Sequence, residues 1–241
     1  ARESICVVPD ITTVIFQHLS FVIAKYNHTG GREWKMNPTI NSTTQLLAVG
    51  TNGSMYVVGG DSKTLVVQKY NGIFLQWFES LRHPERSPSW KSWSSWSLQY
   101  AVVDKVGDLL ISGWSWFDWF APQACDVIKY DGSGHLKWNT SILKARAETC
   151  GDLVTDTNLD IYFSKAPRKE DVEPFTSILV KLTSHAGAIL WSKEVGPNYT
   201  AFSLAVDAEN YIYITGNIWH SVRNYIMNGQ QQHMWNSEIM F

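Results

Sequence analysis

Along most of the chain, short apolar runs alternate with polar positions every second residue and break at clusters of Gly, Asn and Asp. That period predicts strands joined by tight turns. Four stretches align without gaps: LLAVGTNGSMYVVGG, YAVVDKVGDLLISGW, GDLVTDTNLDIYFSKA and SLAVDAENYIYITGN, ending at Gly60, Trp114, Ala166 and Asn217. Each reads as a strand, a turn and a second strand. The turns open at Gly50, Asp104, Asp156 and Asp207, at spacings of 54, 52 and 51 residues. A second recurring unit reads FVIAKYNHTGGREW, LVVQKYNGIFLQW, CDVIKYDGSGHLKW, ILVKLTSHAGAILW and, more degenerate, NYIMNGQQQHMW. In it a strand leads through Lys-Tyr or its equivalent to a turn, then to a strand carrying Trp34, Trp77, Trp138, Trp191 or Trp235.

The first copy has only a weak front hairpin, SICVVPD then TTVIFQH. Four strands per unit, five units and no helical periodicity predict an all-β fold, a five-bladed β-propeller of four-stranded antiparallel blades. One domain, 1–241, is expected, with blades near 1–40, 41–82, 97–142, 149–195 and 201–241. The repeats resemble the VDxxGxIYVTG … VxKYDxxGxxxW units of secreted β-propeller repeat families, and the size is similar to that of the five-bladed lectins of the tachylectin type. The resemblance covers nearly the whole chain and implies the fold. It says little about activity, because propellers host many functions.

In such a blade the A–B and C–D turns share one face, and the B–C loops and D–A linkers share the other. The long segments, Arg82 to Ser97, Ser115 to Ala124 and Ala166 to Thr176, then fall together on the second face. Of twelve Trp residues, five occupy the recurring last strand, where a large ring fills the wedge between blades. The other seven, Trp90, Trp93, Trp96, Trp114, Trp116, Trp119 and Trp219, fall at or near the long-loop face. A Trp offers a flat apolar surface and one N–H donor at little entropic cost, which suits stacking on a sugar or an aromatic ligand. The competing reading is that these rings pack on one another and stiffen two loops. Arg86, just before the Trp-rich linker, is a candidate polar partner for a ligand.

Composition narrows the classes. The chain is 44% apolar and 17% charged, with 20 Lys+Arg against 22 Asp+Glu, which excludes intrinsic disorder and argues against nucleic acid as a partner. The longest apolar-leaning run, Ile11 to Ala24, is interrupted by Gln17, His18 and Ser20, so no membrane span is expected. Asn27, Asn41, Asn52, Asn139 and Asn198 each head a glycosylation sequon, more than chance supplies, which favours a secreted, glycosylated protein. Cys6, Cys125 and Cys150 have no metal-type spacing; one disulfide and one leftover thiol is the simplest count in an oxidising compartment, with the pairing open.

No nucleophile elbow, HExxH, P-loop or dinucleotide motif is present, and the seven His residues are scattered, so no catalytic residue, metal or cofactor is assigned. Asp156-Thr-Asn158-Leu-Asp160 has the spacing of a calcium loop start but coincides with a repeat turn and lacks the following Gly. The expected role is therefore non-covalent binding of a glycan by a secreted, lectin-like propeller through Trp on the long-loop face. The alternatives are an enzyme acting on a glycan or aromatic small molecule in a Trp-lined pocket, and a subunit of an assembly, an oligomer included. A protein that only binds is favoured over an enzyme.

Overall fold

The computed structural model describes residues 5–8, 12–17, 20–38, 44–60, 64–82, 95–116, 124–143, 148–167, 176–197, 199–227 and 230–239, and the side chains within 22–38, 46–60, 64–80, 97–113, 124–142, 150–165, 177–196, 201 and 203–217. Among these residues there are nineteen strands and no helix. The first sheet is β1 (Ile5–Val8), β2 (Thr12–Gln17), β3 (Ser20–Tyr26) and β4 (Arg32–Met36). The second is β5 (Thr44–Val49), β6 (Ser54–Gly60), β7 (Thr64–Asn71) and β8 (Phe74–Arg82). The third is β9 (Ser95–Val103), β10 (Leu109–Trp116), β11 (Ala124–Tyr130) and β12 (Leu136–Leu143). In all three, consecutive strands pair antiparallel in chain order, as short connections dictate.

The fourth group, β13 (Glu148–Thr155), β14 (Ile161–Pro167), β15 (Thr176–Leu182) and β16 (Ile189–Pro197), follows the same meander. The last group is β17 (Tyr199–Val206), β18 (Ile212–Met227) and β19 (Gln230–Ile239). Two features here depart from five separate four-stranded blades. The last group has three strands, because no Gly or Pro interrupts the run from Asn217 to Met227; the next turn signal is Asn228-Gly229. Second, Thr176 pairs parallel with Tyr199, which merges the fourth and fifth groups into one seven-stranded sheet. The β14 ladder stops at Lys165–Ile178, short of the start of β15, so an edge of Thr176 is open to β17. The Ser177 hydroxyl accepts the Ala201 N–H beside that junction, at 2.9 Å.

Alternation fixes how the sheets stack. On β6, Met55 and Val57 pack toward Ile23 of the first sheet, while Tyr56 and Val58 pack toward Leu98, Leu109 and Ile111 of the third. On β10, Leu109 and Ile111 face back and Leu110 faces forward, toward Ile161, Phe163 and Val180. On β14, Tyr162 faces forward again, onto Leu204. Each interior sheet thus buries one face on its predecessor and the other on its successor. The close approach runs along the first strands: β5 lies beside β9, β9 beside β13, and β13 beside β17.

The pairing left open by the sequence is Cys125–Cys150, with Cα atoms 5.5 Å apart. It joins β11 to β13 and so staples the third sheet to the fourth. Cys6 lies in β1, and its side chain is outside the described ones.

Candidate functional site

The two ends of the stack are built differently. At one end lie the short turns, and their sequence explains their shape. In Asp104–Asp108, Asp131–His135, Asp156–Asp160 and Asp207–Tyr211, the first residue's Oδ1 accepts the N–H groups two and four positions on, at 2.8–3.1 Å. Asn27 does the same for Thr29 and Gly31. The fourth residue takes positive φ, which favours Gly: Gly30, Gly53, Gly107 and Gly134 comply, Asn210 (67°) is the residue type that tolerates it next best, and Leu159 (69°) is held there against preference. The carboxylates of Asp104, Asp156 and Asp207 therefore cap turns, and the calcium-like spacing at Asp156 is one of these caps.

Behind the turns sit lysines from the Lys-Tyr signature. Lys129 Nζ lies 2.9 Å from Asp104, 3.3 Å from Asp108 and 2.8 Å from Ser184 Oγ. Lys137 reaches the same Asp108 at 2.8 Å, and this bond carries the Lys137 ammonium above its usual range. Lys181 repeats the arrangement with Asp160 at 2.9 Å and Asp156 at 3.6 Å, and Tyr162 donates to Asp156 at 3.0 Å. In the second sheet Gly50 replaces the aspartate, and Lys69 donates instead to the Gly132 carbonyl of the third. The turns also bond sideways: Tyr56 to the Gly107 carbonyl, Lys105 to the Thr157 carbonyl, and Thr157 to Asn210.

The last-strand Trp residues complete this end. Trp77 Nε1 donates to the Gly132 carbonyl and Trp138 Nε1 to the Ser184 carbonyl, each in the next sheet. A Cβ on Gly134 would lie 2.8 Å from the Trp77 ring, and one on Gly187 2.6 Å from Trp138. Glycine is required where the ring sits on the turn. Lys69 stands over the Tyr56 ring, and Lys181 over Tyr162. The short-turn end is closed by charge pairs and hydrogen bonds; its turn-opening aspartates have partners in the fold, and among the described residues no group of three or more His, Cys, Asp or Glu side chains is placed to hold a metal.

The short-turn end has register shifts at Lys25/Tyr26, Lys69/Tyr70, Lys129/Tyr130 and Lys181/Leu182, and at the opposite end it is the inner strands that bulge. β9 bulges opposite Ser112 and Gly113, β13 between Cys150 and Leu153, and β17 between Ala201 and Ser203. Bulges of this kind re-aim side chains and are common beside binding sites. They set Gln99, Asp152 and Ser203 among the inner strands. Gln99 Nε2 bonds Ser97 Oγ at 3.2 Å; Asp152 accepts from Ser203 Oγ at 2.7 Å and from the Leu204 N–H at 2.9 Å. Burial, then the Asp152 carboxylate, raise the Tyr100 hydroxyl. At the same end a Cβ on Gly113 would come 2.7 Å from the Ser97 carbonyl oxygen, so only glycine lets β9 and β10 close there.

Four of the candidate ligand-binding positions are strand residues at this end. The β9–β10 register sets Trp96 opposite Ser115, Trp114 opposite Ser97 and Trp116 opposite Ser95, on successive rungs; Trp219 pairs with Ser237 in β18–β19. Trp114 also pairs with Cys125, one half of the disulfide. The side chains of these four, and Arg86, Trp90, Trp93 and Trp119 altogether, lie outside the described residues. Of the sequons, Asn52 and Asn139 are exposed and Asn27 is half-buried, while Asn41 and Asn198 lie outside the described residues.

Sequence reasoning missed the buried lysines and the carboxylates Asp108, Asp152 and Asp160. For the lysines a signal existed, since Lys129 and Lys181 recur at one place in units whose turns open with Asp, where Lys69 follows Gly50. No helix among the described residues is long and apolar enough to cross a membrane. No protein-family model matches the sequence, and no curated protein matches it. Among solved structures, the chain is similar to a protein of unknown function from Bacteroides caccae, at 12% identity and a TM-score of 0.46, covering 90% of this chain and 69% of that one.

Proposed function

We propose that the protein is a secreted propeller of five sheets that binds a glycan without transforming it, at the end remote from the short turns. The observation that carries this reading is the β9–β10 register, with Trp114 and Trp116 two rungs apart at one hairpin end, on one face of the sheet, and Trp96 on the rung between them. Indole groups gathered on a rigid scaffold offer flat apolar surface for the C–H faces of sugars, and bulged strands beside them supply polar groups. The opposite end spends Asp104, Asp108, Asp156 and Asp160 on Lys129, Lys137 and Lys181, which favours the other end as the place for a ligand. The Cys125–Cys150 disulfide and the exposed sequon residues Asn52 and Asn139 fit an oxidising, secretory setting. Trp90, Trp93, Trp119, Trp219 and Arg86 are proposed as further contributors from neighbouring segments.

The test is glycan-array screening followed by calorimetric titration with the best hit, using the native chain and Trp116→Ala. Saturable binding that leaves the glycan unchanged and falls at least tenfold in the variant is the expected outcome. Turnover of the glycan, or equal binding by both proteins, overturns it.

A further inference from the structure

In the first four groups, the third strand meets the fourth through a turn that opens with Asn27, Asn71, Asp131 or Thr183. Three of these openers spend a side-chain oxygen on the turn. Asn27 Oδ1 accepts the Thr29 and Gly31 N–H groups, Asp131 Oδ1 those of Ser133 and His135, and Thr183 Oγ1 that of Ala188. Asn71 is the exception. It opens the shorter turn Gly72-Ile73, is exposed, and its side-chain amide bonds no group among the described residues. The Gly72 N–H, at a φ of 57°, donates to no carbonyl of the turn, and nothing lies within 4 Å of where a Gly72 Cβ would be. The hairpin tip stands in water, with Ile73 50% and Phe74 70% exposed.

Asn52-Gly53 is the opposite case. Asn52 Oδ1 accepts the Ser54 N–H at 3.1 Å and the Ser54 hydroxyl, while the Gly53 N–H donates to the Gly50 carbonyl at 2.9 Å. Both of its reactive groups are tied to other partners. A third such pair, Asn228-Gly229, lies outside the described residues.

An asparagine followed by glycine is the pair best able to close on itself, since glycine has no β-carbon to obstruct the approach and its backbone turns freely. We propose that Asn71 is a modification site at which the chain converts itself, the Gly72 backbone nitrogen attacking the Asn71 side-chain amide carbon. The bond from Gly72 N to Asn71 Cγ forms, the Cγ–Nδ2 bond breaks, and the Gly72 N–H proton leaves with Nδ2 as ammonia. Water from the solvent, the one co-reactant, then opens the cyclic imide. Addition at Cγ leaves aspartate; addition at the backbone carbonyl carbon leaves isoaspartate, whose main chain runs through Cγ. Either product sets a negative charge beside Ile73 and Phe74, and the second adds a carbon to the backbone on the rung where Asn71 faces Phe74. This rests on neither the glycan nor the number of sheets.

The test follows the full chain, made in a bacterial periplasm so that the disulfide forms and Asn52 carries no glycan, through incubation in mildly alkaline buffer at body temperature. Peptide mapping is expected to show the Asn71 peptide gaining about 1 Da as two separable products, one of them a substrate for protein isoaspartyl methyltransferase. The Asn52 peptide is expected to convert more slowly by about tenfold or more, because its hydrogen bonds must break first. The same chain, reduced and unfolded in urea, is the reference, and there the two peptides are expected to convert at similar rates. An Asn71 that does not convert when folded, or a folded rate ratio equal to the unfolded one, overturns the proposal. Ser54→Ala, which frees Asn52 from one of its donors, is expected to speed Asn52 and leave Asn71 as it was; an unchanged Asn52 rate counts against the restraint that separates the two pairs.

Discussion

Lys129 Nζ and the Asp104 carboxylate are 2.9 Å apart, with the lysine side chain 1% and the aspartate side chain 0% exposed. Such a pair offsets its own desolvation only while both members are present. Lys129→Met is therefore expected to cost about 3–5 kcal/mol, because Asp104 and Asp108 lose their buried counter-charge. Lys129→Met with Asp104→Asn is expected to cost less than the single change. Urea denaturation of both variants measures the difference.

Leu159 is held at φ 69° in a turn whose relatives carry Gly. Leu159→Gly is expected to raise stability by up to about 1 kcal/mol, the left-handed penalty of a β-carbon less the entropy of a glycine. The denaturation midpoint reads it directly, and Gly107→Leu, the converse change at φ 91°, is expected to lower it.

Gly113 leaves no room for a methyl beneath the Ser97 carbonyl. Gly113→Ala is expected to destabilise by about 1–3 kcal/mol through the forced backbone shift. It is also expected to weaken glycan affinity, since the rungs carrying Trp96, Trp114 and Trp116 adjoin this point. Titration at a temperature where the variant stays folded separates the two effects.

The Cys125–Cys150 bridge closes a sequence separation of 25 residues. Replacing both cysteines by Ser is expected to cost about 3.5 kcal/mol, the loop-closure term for that length. A shift in denaturation midpoint between oxidised and dithiothreitol-treated protein checks the same quantity without mutation.

Burial, followed by the Asp108 carboxylate, pushes the Tyr56 hydroxyl from 10.0 up to about 12. The folded state thus favours the neutral phenol more than the unfolded chain does. Its contribution to stability is complete below the unfolded value of 10.0 and disappears as the pH rises through about 12. Denaturation midpoints across that window should fall for the native chain and fall less for Tyr56→Phe.

Much of this architecture was legible because period-two alternation and turn residues are local signals. The run from Met55 to Gly59 read correctly as a strand, and Trp77 and Trp138 read correctly as fillers between neighbouring sheets. The buried ion pairs were not legible: Lys129 in an alternating strand has the spelling of a solvated residue, and only the fold sets it behind Asp104. Nor were the bulges, since one extra residue at Gln99 or Asp152 slips the alternation without interrupting it. The Thr176–Tyr199 junction depends on where a neighbouring ladder stops, which no local window contains. At the candidate site, the strand-end spacing of Trp114 and Trp116 was readable, whereas the polar group Gln99, Tyr100, Asp152 and Ser203 was not.

Because every sheet leans only on the one before and the one after, cohesion is a nearest-neighbour property. The interior members, from Met55 to Phe163, are gripped twice, and the margins once. Amide exchange should accordingly record a gradient, slowest at Val57, Ile111 and Ile161 and fastest toward both termini.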